Sequence, residues 1–299
     1  MSIDFRRAVK YPPEVFMWAD TVDLEIGDNT LFEYVNLEYS PAYILTLQGV
    51  SLDNGVTGVF SVSADDLEAM KIDVPATKGI QYNEDVRIVA EKSMKGSITV
   101  TSAVSGFRSR HLLKVDKATP LLKNYYGFEL DDRDKELISK YNIKDVNVSE
   151  FNPFADKVYR VVTSGKAMTT DGTVLKVSVP KDKKVILLDI ATSPVSDADK
   201  VNISVSRDGI NDVMTLDAYC LPPMSVWFGS RYLNSMRVVA VDELIIEATV
   251  TEAVTIRATY AIGYLTLEEK VKWGLRMSSS EIKEANEKNL FELAEAGLI

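Results

Sequence analysis

"TPLLKNYYGFELDDRD" (119–134) and "TLEEKVKWGLRMSSSE" (266–281) decide how this chain is read, because they spell one phrase twice, 147 residues apart. Each opens on Thr and places a Lys four residues on (Lys123, Lys270). Each follows with an aromatic–glycine pair (Tyr126-Gly127, Trp273-Gly274), two large apolar residues (Phe128 and Leu130; Leu275 and Met277) and a closing acid (Asp134, Glu281). Thr119 followed by Pro120 has the form of an N-cap with proline in the first helical position. Thr266 with Glu269 forms a capping box. Gly127 and Gly274 stand where a left-handed residue ends a helix. Asp131 and Ser278 then open a second helix, the latter through a capping box with Glu281. The phrase therefore predicts a strand exit, a short helix, a glycine stop and a second capped helix. Capping and packing account for its residues without any chemistry.

The match extends upstream in order. "SITVTSAVSGFRSRHLLKV" (97–115) lies over "LIIEATVTEAVTIRATYAI" (244–262) at the same offset, and "VRIVA" (86–90) over "MRVVA" (236–240) after a three-residue adjustment. "MKID" (70–73) matches "MTLD" (214–217), "AYILTLQGVS" (42–51) matches "KVILLDIATS" (184–193), and "DNTLFEYVNL" (28–37) matches "DGTVLKVSVP" (171–180). Collinear matches with little drift in offset indicate a tandem duplication of a domain, at a period far longer than that of a solenoid repeat.

Within each copy, short β-branched and alternating runs recur between turn signals such as "DNG" (53–55) and "DG" (171–172, 208–209). The expected fold is mainly β: two tandem β-sandwich or jelly-roll-like domains from an internal duplication, each closed by short C-terminal helices. The expected boundaries are an N-terminal arm (1–15), copy one (16–142), a polar, turn-rich linker (143–157), copy two (158–288) and an apolar helical arm (289–299). In that last arm Asn289 and Glu292 give a capping signal and Gly297 a stop.

The 299 residues carry a net charge of −10, one Cys and one His. The acidity argues against a nucleic-acid surface, which needs a basic stripe. A single Cys220 excludes an intramolecular disulfide, and a single His111 excludes a multi-histidine metal site. Both residues are expected to be ordinary buried or strand residues. No metal or cofactor is expected. The acidic "SRDGIND" (206–212) offers Asp208, Asn211 and Asp212 to Ca²⁺, but lacks EF-hand spacing and fits a hairpin turn; "PVSDADK" (194–200) is a similar loop. No apolar run approaches the length of a membrane-spanning helix, and the opening residues lack the apolar core of a secretory signal. No dinucleotide, phosphate-loop, zinc-protease or nucleophile-elbow motif occurs. Trp227-Phe228 is the best candidate for an aromatic ligand platform, with core and interface as the other readings of Trp227.

Both ends carry apolar or aromatic side chains: "YPPEVFMW" (11–18) and "NLFELAEAGLI" (289–299). Phe16, Trp18, Phe291, Leu293, Leu298 and Ile299 are therefore candidate interface residues, although the same groups can pack on the chain's own body. A duplicated sandwich of this size resembles double-jelly-roll capsid proteins and the accessory or decoration proteins of tailed viruses, over the whole chain but in architecture alone. That resemblance implies a non-enzymatic virion component, assembled in a host cytoplasm, whose partners are copies of itself and other particle proteins. A tandem carbohydrate-binding module is the alternative, and a jelly-roll enzyme a third.

Overall fold

The computed structural model describes residues 8–35, 43–53, 56–65, 67–74, 80–143, 158–221 and 236–299. Most of the expected linker, together with Trp227 and Phe228, lies outside them.

The elements run twice through the same order. The first pass is β1 (Glu14–Leu24), β2 (Gly27–Val35), β3 (Tyr43–Leu52), β4 (Gly58–Ala64), β5 (Leu67–Val74), β6 (Ile80–Ala90), β7 (Ser93–Val100), β8 (Val104–Lys117), α1 (Pro120–Tyr126) and α2 (Asp132–Tyr141). The second is β9 (Val158–Met168), β10 (Gly172–Ser178), β11 (Lys183–Thr192), β12 (Val201–Arg207), β13 (Ile210–Asp217), β14 (Val238–Ala240), β15 (Glu243–Val250), β16 (Val254–Tyr264), α3 (Leu267–Lys272) and α4 (Ser279–Glu287). A final helix, α5 (Leu290–Ala296), follows without a counterpart.

Pairing repeats as well. Strand one lies beside strand eight, two beside seven, three beside six and four beside five in both passes. That nested pairing is a jelly roll: each repeat is a sandwich of two four-stranded sheets. The alternation that predicted strands is the burial pattern observed. In β7, Met94, Gly96, Ile98 and Val100 are buried, and in β15 Leu244, Ile246, Ala248 and Val250.

The structure refines the alignment of the two copies. Phe60 pairs with Ile98 in the first repeat as Ile203 pairs with Ala248 in the second, so β7 and β15 are offset by 150 residues. Leu47 pairs with Leu113 as Leu187 pairs with Tyr260, so β8 and β16 are offset by 147. The three-residue adjustment therefore falls in the first part of β8, which is 14 residues long against 11 in β16, rather than upstream of β7.

The two rolls are fused. β1 pairs with β8 on one side and, in parallel, with β13 on the other, through Ala19 and Leu216. This joins a four-stranded sheet of each repeat into one sheet ordered β10-β15-β12-β13-β1-β8-β3-β6. One continuous apolar core runs through both rolls.

The helices match their caps. Thr119 accepts from Leu122 N, and Asp131/Asp134, Thr266/Glu269 and Ser278/Glu281 all form capping boxes. Gly127, Gly274 and Gly297 have the left-handed φ that favours glycine. Asn289 differs from expectation. It is itself left-handed and caps nothing, its side chain donating instead to Tyr141 Oη and Glu292.

Candidate functional site

The densest polar chemistry among the described residues lies where the segment before β1 crosses onto the second repeat. The Glu14 carboxylate is fully buried and accepts from Lys10 N, Tyr11 N and Val239 N at 2.9–3.1 Å. Arg207 donates to it through both terminal nitrogens, one at 2.7 Å, and also donates to the carbonyls of Ala8 and Val239. A carboxylate removed from water is tolerated only when its lone pairs are filled and its charge is matched, and both conditions hold here. Arg237 donates to Pro13 O, Trp273 Nε1 donates to Pro12 O at 3.0 Å, and Val15 and Arg237 exchange two backbone hydrogen bonds. Tyr11 is buried with Ile186, Leu188, Val239 and Ala261, its ring 5.1 Å from that of Trp273.

This arrangement corrects two expectations. The described part of the N-terminal arm docks on the chain's own second repeat. Phe16 and Trp18, expected as interface residues, are buried strand residues of β1 (0% and 5% exposed), because β1 lies between two paired neighbours.

Asp208 belongs to the same junction. Its carboxylate accepts from Val241 N, Asp242 N and Glu243 N at 2.8–3.2 Å and from Tyr11 Oη at 2.6 Å. Burial and that bond to Asp208 push the Tyr11 hydroxyl well above its usual pKa. The carboxylate offered on sequence grounds to Ca²⁺ is thus engaged in closing the turn between β14 and β15, while Asp208-Gly209 itself forms the hairpin turn between β12 and β13. Asp65 does the same in the first repeat, accepting from Glu91 N, Lys92 N and Ser93 N at 2.6–2.9 Å. Both aspartates hold left-handed φ values, 50° and 46°. The shared "S-x-D" (63–65, 206–208) is the sequence signal that marks this latch. The other acidic loop is closed by Ser196, which bonds Glu252 through its backbone and its hydroxyl.

The interior of the first roll is the second candidate. Trp18 and Tyr34 rings meet edge-on at 5.8 Å, Phe32 and Tyr34 at 5.1 Å, and Phe32 and His111 at 4.2 Å. Gly96 makes room for this cluster: a Cβ there would stand 2.2 Å from the Phe32 ring. Trp18 Nε1 and both ring nitrogens of His111 are buried without a hydrogen-bond partner, and burial pushes the His111 pKa down to about 3. The strand registers place Ser164, Leu175, Val177 and Ala258 at the same four positions of the second roll, so at these positions the aromatic cluster belongs to the first repeat alone. Cys220 lies 3.2 Å from Thr21 Oγ1, and burial pushes its thiol up to about 12. A thiol so raised stands away from the range of an activated nucleophile.

The third candidate is the helical cap. α5 packs against α3 and α4 of the second repeat and touches α1 and α2 of the first. Arg133 pairs with Glu295 at 2.8 Å, and Lys140 and Tyr141 both donate to Glu292. The bonds from Lys140, Asn289 and Tyr141 hold the Glu292 pKa down at about 2. Leu293 and Ile299 are half-buried against Val271, Ala285 and Leu290. Phe291 (43%) and Leu298 (38%) are exposed, as is Ile282 on α4. The six candidate interface residues therefore divide into two inside the fused sheet, two on the cap's underside and two facing outward.

Among the described residues no group of three or more His, Cys, Asp or Glu side chains is placed to hold a metal ion. No described helix is long and apolar enough to cross a membrane. No protein-family model matches the sequence, and no curated protein does. The solved structures to which the chain is weakly similar include PBSX exported protein XepA (11% identity, 82% of this chain and 86% of that one, TM-score 0.23). They also include the coconut allergen cocosin (9%, 98% and 89%, TM-score 0.22) and a mutant of Bacillus subtilis oxalate decarboxylase (11%, 93% and 86%, TM-score 0.22).

Proposed function

We propose that this chain is a non-enzymatic assembly protein, a capsid or capsid-associated component of a virus or phage particle, that associates with copies of itself and with other particle proteins. The observation that carries the reading is the helical cap. α5 packs through Leu290 on α3 and α4 of the second repeat and is held to the first by Arg133–Glu295 and Lys140–Glu292, with Phe291 and Leu298 turned outward. An apolar residue presented from a helix that two domains hold in place suits a contact that must keep its geometry from copy to copy. The ion pairs beside it neutralise the charges that would otherwise oppose a close approach. The fused sheet supports the same reading, since it makes two rolls into one stiff block with pseudo-equivalent surfaces.

The test is a pair of surface variants, Phe291→Asp and Leu298→Asp, each compared with the unaltered protein for native mass and for particles in negative-stain electron microscopy. Because both side chains already face water, the thermal midpoint should move little. The proposal expects assembly to fall at least tenfold in affinity. Unchanged assembly in both variants would remove the cap from the interface.

A further inference from the structure

The contact that joins the two repeats is one-sided. β1 of the first roll is covered by β13 and by Arg237 of the second, but β9, the strand in β1's position in the second roll, has no paired strand beyond β16 among the described residues. β5, the strand in β13's position, likewise has none beyond β4 among the described residues. We infer that β9 of one copy docks against β5 and β6 of a second copy of this chain, repeating between molecules the junction each molecule already contains.

The registers say which residues would meet. Glu14 and Val22 pair with Val115 and Phe107 as Arg160 and Met168 pair with Ile262 and Val254, so Val15 and Ala19 correspond to Val161 and Gly165. Phe60 pairs with Ile72 as Ile203 pairs with Leu216, so Leu216 corresponds to Ile72. Leu47 pairs with Ile88 as Leu187 pairs with Val238, which sets Arg87 in the place of Arg237. Burial tells the same story. Val15 is 0% exposed under its neighbour, whereas Val161 is 50% exposed. Gly165 is exposed where Ala19 is buried, and Ile72 is half-exposed where Leu216 is buried. An eleven-residue edge strand with an open ladder of backbone donors and acceptors is a template for another strand.

Charge permits the exchange. Glu14, at the head of β1, meets Arg207 beside the Asp208 turn. At the corresponding point β9 carries the opposite sign, Arg160, and the first repeat has the uncharged Ala64 in the place of Arg207, so no two like charges are brought together there. The contact is heterologous, since β9 gives and β5 receives. Copies joined this way close into a ring or run on as a filament, depending on the angle between them. The inference rests on the self-associating reading above and specifies a surface separate from the cap.

The experiment uses cysteine pairs in full-length protein carrying Cys220→Ser, which leaves the introduced thiols alone. Gly165→Cys and Ile72→Cys are prepared singly, then mixed and oxidised. The expected result is a disulfide-linked two-chain species in the mixture and none in either protein alone. A chain carrying both changes should give a closed or extending ladder. Val161→Asp, at an exposed position, should reduce the native mass without lowering the thermal midpoint. Continued assembly with no cross-link and no effect of Val161→Asp would overturn this interface while leaving self-association intact. A protein that never associates would overturn both.

Discussion

His111 is the one histidine of the chain and lies fully buried against Phe32, with its pKa held near 3 by lost solvation. In the unfolded chain the same group titrates near 6.5. Between those values the unfolded state binds a proton that the folded state does not, so stability rises with pH there and is lost as pH falls from about 6.5 towards 3. The total available to this group is on the order of 5 kcal/mol at most. His111→Leu should remove that component, and urea midpoints at pH 7 and pH 4.5 should lie closer together in the variant than in the parent. An unchanged pH dependence would show that other groups dominate. The sequence announced His111 only as a residue in a strand-like run. Its burial depends on Trp18, Phe32 and Tyr34 arriving from β1 and β2, which no local pattern specifies.

At the scale of the element, Gly96 and Phe32 show what duplication preserved and what it changed. Their counterparts in the second roll are Ile246 and Leu175, also cross-strand partners. Gly96→Ala should force the Phe32 ring aside and cost about 1–3 kcal/mol. Phe32→Leu added to Gly96→Ala should recover part of the loss, because the second roll packs an aliphatic pair at that place. A double variant no more stable than Gly96→Ala alone would refute the equivalence. Strands, turns and helix caps were legible because each is specified within a few residues: alternation in β7 and β15, Asp208-Gly209 at its hairpin, Thr266 with Glu269. The exception is instructive. Asn289 carries a capping residue's side chain but adopts a left-handed backbone because Tyr141, from the other repeat, and Glu292 take up its amide.

For the whole molecule, the junction between the repeats decides cooperativity. Glu14 and Arg207 form a fully buried pair between the two rolls. Removing one partner of such a pair costs about 3–5 kcal/mol, since the other charge is stranded away from water. Arg207→Met should therefore lower stability by that amount and split one calorimetric transition into two, while Arg207→Lys, which keeps the charge but loses the two-pronged contact, should fall between. One unbroken transition in Arg207→Met would mean that the continuous sheet alone couples the rolls. Little of this junction was legible in advance. The aromatic and proline residues at 11–18 marked a segment with something to bind, but Phe16 and Trp18 found their partners in the chain's own core. Of the two apolar ends, the one that keeps described side chains facing outward is α5 with the residues just after it, through Phe291 and Leu298.

Sedimentation velocity of the untagged full-length protein over a wide concentration range tests the central claim, that this fused double roll is a building block, most directly. The account predicts discrete species at multiples of the 33.2 kDa chain mass that grow with concentration. A single species at one chain mass, from nanomolar to tens of micromolar protein, would contradict it.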